Sequence, residues 1–184
     1  MRYASIRSLD ISNGEGVGVS LFVQGCPFHC HNCFNSETWD FNGGEEWTEK
    51  IENIFLKLID RPFIKRVSIL GGEALANENR LVVLDLIKKI KSKYPEKNIW
   101  LYTGYTFEEL CEMYCDKQIY NYFTDDIDKH ITLKNLQYVD VLVDGKYIEE
   151  QRDVTLAYRG SRNQRLINVP ETLKQGKIIT LQND

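Results

Sequence analysis

The sequence predicts an α/β fold built mostly of parallel strands. Short β-rich apolar runs alternate with stretches of helical periodicity. The cysteine cluster, a Gly-Gly-Glu, a Thr-Gly-Tyr and an Asp-Gly each follow directly on a predicted strand. Ligands of parallel α/β folds bind at the carboxyl ends of strands, so these turns should meet on one rim. The length, 184 residues, fits a single domain spanning 1–184 with a sizeable core.

Residues 3–11 alternate weakly and predict an edge strand or a cover over the sheet. Asn13-Gly14-Glu15-Gly16 reads as a turn, because glycine and asparagine tolerate positive φ. Residues 18–23 are β-rich, end near Gly25 and predict the first core strand, with the cysteine loop at its carboxyl end. Asn42-Gly43-Gly44 is a second turn, leading to a helix that starts near Thr48. Ile51, Ile54, Phe55, Leu58 and Ile59 form one apolar helical stripe, and Pro62 stops it.

Residues 67–70 predict the second strand, with Gly71-Gly72-Glu73 at its end. Residues 80–94 predict a helix with Val83, Ile87, Ile90 and Tyr94 on one face and Lys88, Lys89, Lys91 and Lys93 largely solvated. Residues 99–102 predict the third strand, ended by Thr103-Gly104-Tyr105. Thr106 and Glu109 have capping-box spacing, so a helix starts there. Residues 116–135 carry no clear signal. Residues 138–143 predict a further strand closed by Asp144-Gly145, and 164–169 and 177–182 two more. There is no internal repeat, low-complexity tract or linker.

Composition narrows the function classes. Hydrophobic residues at 42% and charged residues at 27% are ordinary for a globular protein. A net charge of −4 argues against bulk attraction to nucleic acid or anionic membrane. No apolar run approaches membrane-spanning length, and residues 1–25 lack a signal-peptide pattern. Five cysteines, three of them clustered, argue against a disulfide framework and for a reducing compartment, hence the cytoplasm.

Cys26, Cys30 and Cys33 are spaced C-x3-C-x2-C. Three thiolates on one short loop can gather around a metal or a small cluster. A [4Fe–4S] cube normally takes four cysteines, so three leave one iron open. An open position is what separates a catalytic metal site from a closed structural one. The competing reading is zinc, with His29 or His31 completing a Cys3His set. Cys111 and Cys115, at i and i+4 on a predicted helix, either complete a four-cysteine electron carrier or are buried small apolar residues.

Gly71 and Gly72 let backbone approach a ligand closely, and the Glu73 carboxylate suits a cationic amine; the plain alternative is a strand-end turn. Asn13-Gly14-Glu15-Gly16 lacks the lysine and spacing of a phosphate loop. Arg159, Arg162 and Arg165 form a basic run that docks a partner, holds a carboxylate or is simply solvated.

The cysteine spacing resembles the signature of the radical S-adenosylmethionine enzymes. Asp10-Ile11-Ser12-Asn13-Gly14-Glu15-Gly16, Gly71-Gly72-Glu73, Tyr102-Thr103-Gly104-Tyr105, Val141-Leu142-Val143-Asp144-Gly145 and Arg159-Gly160-Ser161-Arg162-Asn163-Gln164 narrow it. In that order they resemble the family that activates the anaerobic ribonucleoside-triphosphate reductase. The resemblance implies a partial, open (β/α) barrel with mostly parallel strands, abbreviated in so short a chain. It implies a [4Fe-4S] cluster on Cys26, Cys30 and Cys33, whose free iron chelates the amino and carboxylate groups of S-adenosyl-L-methionine. One electron then gives methionine and a 5′-deoxyadenosyl radical, which takes a hydrogen atom from a glycine of the reductase.

By the same resemblance Gly71, Gly72 and Glu73 contact the amino group, and the backbone at Asn32, Cys33 and Phe34 lies against the adenine. Phe34 either stacks on that ring or packs the cluster loop. Two departures stand out: Ala74 where the family usually has proline, and Asn32 where many members have an aromatic. The implied partners are the reductase as protein substrate and reduced flavodoxin or a similar electron donor, with no nucleic acid and no membrane. Activation of another glycyl-radical enzyme, of pyruvate formate-lyase type, is the enzymatic alternative; a zinc-binding or electron-carrying module is the other.

Overall fold

The computed structural model describes residues 1–114 and 136–181. Among the described residues seven strands form one sheet: β1 (Arg2–Asp10), β2 (Gly18–Val23), β3 (Glu45–Glu46), β4 (Arg66–Gly71), β5 (Asn98–Tyr102), β6 (Val141–Asp144) and β7 (Arg165–Asn168). Their spatial order is β3-β1-β2-β4-β5-β6-β7. The central four, β2, β4, β5 and β6, pair in parallel. Strand β1 is antiparallel to β2 and to β3, and β7 is antiparallel to β6. The expected α/β class holds, with a mostly parallel sheet. The expected barrel curvature does not close: the sheet is open, with β3 and β7 as its edges.

Four helices are described: α1 (Glu49–Ile59), α2 (Arg80–Lys93), α3 (Phe107–Tyr114) and α4 (Val169–Gln175). Helix α1 begins where the Thr48 hydroxyl accepts from the Ile51 N–H. Its inward stripe is narrower than the sequence pattern: Phe55 and Ile59 are buried, whereas Ile54 is 44% exposed. The sheet's period of two separates its side chains cleanly. Val19, Leu21, Val67, Ile69, Ile99, Leu101 and Leu142 join Phe55, Ile59, Val83, Leu84, Ile87 and Ile90 of α1 and α2 in one apolar core. The alternate residues, among them Ser20, Arg66, Ser68 and Trp100, are buried on the other face.

That other face is covered by loops. Asp10 ends β1 and its Oδ1 accepts from the main-chain N–H groups of Ser12 and Asn13, both at 2.9 Å, which turns the chain back. Arg66, fully buried on β4, donates to the Asn13 and Asp10 carbonyls, both at 2.7 Å, and to Asp10 Oδ1 at 3.1 Å. At Gly14, where φ is +131°, a Cβ would lie 2.5 Å from Arg66 Cδ, so only glycine fits. The loop thus plugs the amino-terminal end of the open sheet face.

Four expectations need correction. Residues 3–11 do not form an edge: β1 lies between β3 and β2. The strand expected at 138–143 starts at Val141, because Val139 N–H bonds Leu136 O in a turn just before it. The strand expected at 177–182 reduces to a single bridge between Thr180 and Ile167. Helix α4 was not anticipated, although its signals are local: Asn168 caps the Glu171 N–H, Pro170 sits in the first turn, and Gly176 ends it in the left-handed region at φ 65°. Cys115 and residues 116–135 lie outside the described residues. No helix among the described residues is long and apolar enough to cross a membrane.

Candidate active site

A cavity of about 450 Å³ opens at the carboxyl ends of the parallel strands. Cys26, Cys30, Cys33, Phe34, Gly71, Gly72 and Glu73 all line it, together with Gly104 and Gly145 of the other two strand-end turns. The turns therefore share one rim. Asn32 is the one predicted site residue that does not line the cavity. Its backbone is left-handed, at φ 54°, and its side chain bonds Glu149.

The cysteine loop and the Gly-Gly-Glu turn are stitched to each other by backbone. Gly72 N–H donates to Val23 O and Glu73 N–H to Gly25 O, both at 2.8 Å. A Cβ at Gly72 would lie 2.5 Å from the Gly25 carbonyl oxygen. Gly25 itself, at φ 92°, leaves no room for a side chain beside the Phe41 ring. The two glycines thus allow β2 and β4 to deliver their loops side by side. From Gly25 onward the loop is pinned by Gly25 N–H to Thr38 O at 2.8 Å and Cys26 N–H to Trp39 O at 3.0 Å.

Each cysteine sulfur faces main-chain donors. The main-chain N–H groups of Phe28 and His29 favour the Cys26 thiolate, and that of Tyr147 favours the Cys30 thiolate, against the effect of burial. Asn35 N–H lies 3.4 Å from Cys33 Sγ. Burial, aided by the nearby Glu73, pushes the Cys26 thiol up to about 11; burial and the adjacent Cys33 raise Cys30. Binding a cluster must therefore displace protons from thiols. Among the described residues no three His, Cys, Asp or Glu side chains converge closely enough for one metal ion. A cube does not require that convergence, because each cysteine takes a different iron. The donor set, three soft thiols lining one cavity with N–H groups on their sulfurs, fits such a cluster. His29 stacks on Trp39 at 4.8 Å, and neither it nor His31 lines the cavity.

Glu73 is 2% exposed. Its Oε1 accepts from Leu75 N–H and Thr103 Oγ1, both at 2.8 Å, and its Oε2 from Gly104 N–H at 2.7 Å. Burial lifts its carboxyl to about 7 despite those bonds. A carboxylate has about four acceptor sites; three are committed here, two of them tying the end of β4 to that of β5.

Sequence reasoning gave no site role to much of the cavity wall, although Asn13, Tyr102 and Gln164 lie in the motifs it named. Asn13, Tyr102, Lys146, Tyr147, Tyr158 and Gln164 line it as well. Tyr147 follows the Asp144-Gly145 turn, which was a usable signal; Tyr158, at φ 63°, had none. Gln164 locks this segment: its Oε1 accepts from Gly160 N–H at 2.9 Å and its Nε2 donates to Gly145 O at 3.1 Å. The three arginines part ways. Arg159 lines the cavity and Arg162 is exposed. Arg165 holds two carboxylates, with Nε 3.0 Å from Asp144 and both Nη atoms on Glu108 at 2.9 and 2.6 Å. Cys111 is partly buried and does not line the cavity.

Comparison with known proteins agrees with this arrangement. A family model described as a 4Fe-4S single cluster domain matches residues 12–167. The anaerobic ribonucleoside-triphosphate reductase-activating protein of Vibrio cholerae is 37% identical over 166 residues, covering 89% of this chain and 96% of that protein. The protein of the same name from Enterobacteria phage T4 is 36% identical, covering 90% and 93%. That from Escherichia coli K12 is 32% identical, covering 89% and 96%.

Proposed function

The chain belongs to the family of anaerobic ribonucleoside-triphosphate reductase-activating proteins, and from that premise we propose that it is the activating enzyme of such a reductase. It generates a glycyl radical on the reductase by reductive cleavage of S-adenosyl-L-methionine at a [4Fe-4S] cluster. The observation that carries this reading is the convergence of Cys26, Cys30, Cys33 and Gly71-Gly72-Glu73 on one cavity at the strand ends. The cluster and S-adenosylmethionine, when bound, supply the one-electron chemistry and the hydrogen-abstracting radical.

The chain's own residues hold and orient. Cys26, Cys30 and Cys33 are the cluster ligands, and their backbone donors stabilise negative charge on sulfur. Gly71 and Gly72 bring main chain close to the amino group of S-adenosylmethionine. Glu73 fixes that turn through Thr103 and Gly104 and keeps one acceptor site for the same ammonium. The backbone at Cys33 and Phe34 would border the adenine, with the half-exposed Phe34 ring as its cover, and Asn32, outside the cavity, would shape the loop that carries them. No side-chain acid or base is needed, because a hydrogen atom rather than a proton is transferred. We read the open sheet as an abbreviated partial (β/α) barrel, whose wide mouth admits a loop of a large protein substrate. The electron comes from reduced flavodoxin or a similar donor, and the setting is the cytoplasm.

Anaerobic reconstitution should give a brown protein that forms 5′-deoxyadenosine when reduced with S-adenosylmethionine. With the reductase added, electron paramagnetic resonance should show a glycyl signal. Cys30→Ala should abolish both; continued cleavage by that variant would falsify the ligand assignment. A signal on pyruvate formate-lyase but not on the reductase would reassign the partner.

A further inference from the structure

The cavity has two sides, and the S-adenosylmethionine reading uses one of them. It puts the amino group at Gly71-Gly72 on β4 and the adenine at Cys33 and Phe34. The Phe34 ring meets the ring of Tyr147, just after β6, with centroids 5.2 Å apart. The adenine therefore leans toward β6. Strand β1 lies four strand spacings from β6, on the order of 19 Å across the sheet. Arg7 of β1 and Ser12 line the cavity as well and take no part in that placement. Arg7 is held by its neighbours. It stands opposite Ser20 in the β1–β2 register, so its side chain rises from the loop-covered face. Its guanidinium lies over the ring of the buried, cavity-lining Phe22, 4.6 Å from the centroid. Its Nη1 is 3.6 Å from Asp10 Oδ2, too far for a hydrogen bond. The Asp10 oxygens already accept from Ser12, Asn13 and Arg66. Among the described residues Arg7 makes no hydrogen bond, so an oriented cation lines the cavity with its donors uncommitted. Beside it, the exposed Ser12 gives its main-chain N–H to Asp10 Oδ1 at 2.9 Å, and its hydroxyl has no partner among the described residues.

We propose that Arg7 and Ser12 form the subsite that reads the polypeptide substrate: the Arg7 guanidinium donates to main-chain carbonyl oxygens of the glycine-bearing segment of the reductase, and the Ser12 hydroxyl accepts from one of its N–H groups. The inference rests on the function proposed above and adds the residues that recognise the partner. A glycine offers main chain and little else, and without a Cβ its peptide groups can be approached closely. The planar guanidinium fork can make two such bonds at once, which an ammonium on a flexible stem does not. A segment entering from the β1 side meets the cavity opposite the adenine, so it does not compete with the cofactor for space.

The test separates the two ligands on the anaerobically reconstituted protein. Equilibrium binding without reductase gives the affinity for S-adenosylmethionine. The reductase concentration that yields half the maximal glycyl signal gives recognition of the partner. Arg7→Ala should raise that concentration about tenfold, the loss of a hydrogen bond to a charged group, with the maximal signal retained. Its affinity for S-adenosylmethionine should stay where it is. Arg7→Lys, which keeps the charge without the fork, should recover only part of the loss. Ser12→Ala should shift the half-saturation in the same direction and by less. An unmoved half-saturation in Arg7→Ala overturns the inference. So does full recovery by Arg7→Lys, which would leave only bulk charge, and so does a matching loss of S-adenosylmethionine affinity, which would assign Arg7 to the cofactor. A wild-type protein that raises no glycyl signal on the reductase removes the proposed function itself, and is told apart because that failure appears before any substitution.

Discussion

On one face of the sheet, Val19, Leu21, Val67, Ile69, Ile99 and Leu101 pack with α1 and α2 in one apolar core. On the other, Ser20, Arg66 and Ser68 are just as buried, and the 10–16 loop covers Arg66 and Ser68. The difference separates two physical tasks. The helix face gains from apolar area removed from water, at about 25 cal/mol per Å², and that gain is non-directional. The loop face contains a buried ion pair and many directed hydrogen bonds. Desolvation offsets most of the attraction in such a pair, so its net stabilisation is small. What it gives is position. The Arg66 Nη groups find their acceptors only if Asp10 and Asn13 lie where they do, and that places the floor of the cavity. Stability comes from one side of the sheet and site geometry from the other.

Removing Phe55, fully buried against the helix face, should test the first half hardest. Phe55→Ala should lower unfolding stability by about 3–5 kcal/mol in a urea titration. The molecules that remain folded should still load the cluster to the wild-type ratio; a lost ratio would mean that the faces are not separable.

Arg66→Met attacks the second half. It leaves Asp10 with only the exposed Arg7, at 3.6 Å, for a cation and should cost about 3 kcal/mol. Unlike Phe55→Ala, it should also weaken S-adenosylmethionine binding, through the displaced Asn13. Asp10 adds a signature in pH. Burial pushes its carboxyl up, but hydrogen bonds from Asn13, Ser12 and Arg66 outweigh that and hold it below its ordinary value. The folded state therefore favours the ionised form. Its contribution is present above the unfolded aspartate value of about 3.9 and is lost as pH falls through the lower folded value. Wild-type stability should fall more steeply than that of Asp10→Asn as pH drops below about 4. Parallel acid curves would remove Asp10 from this account.

A smaller effect is expected where the faces meet at the rim. Glu73→Gln turns one acceptor oxygen into a donor, facing either Gly104 N–H or Leu75 N–H with the Thr103 hydroxyl. Mismatched buried donors should cost about 1–3 kcal/mol, and the Michaelis constant for S-adenosylmethionine should rise with it. The smallest effect belongs to the helix face alone. Thr48→Ala removes an exposed cap worth about 0.5–1 kcal/mol, visible in thermal melts, with cavity chemistry unchanged.

The helix face was the legible one. The stripe of α1 and the runs of β2, β4 and β5 follow from local periodicity, and their boundaries in the structure differ by about one residue. The rim was legible for a related reason: each candidate segment ends a strand in a glycine, aspartate or cysteine turn. The loop face was not. Nothing around Arg66 says that it points inward, since its position in a strand allows either face. Tyr147 and Tyr158 are ordinary residues in a stretch without periodicity, and their contacts with Phe34 and Tyr102, 30 or more places away, could not be read from it.

The sequence by itself determined the α/β class, the cysteine spacing and the order of the turns, because these depend on neighbours a few residues apart. Only the tertiary structure decided that the sheet stays open, that Glu73 is tied to Thr103 and Gly104, and that Arg66 holds the 10–16 loop in place. Those outcomes depend on which buried polar groups find partners across the chain, and a partner is chosen by three-dimensional proximity, which no local pattern encodes.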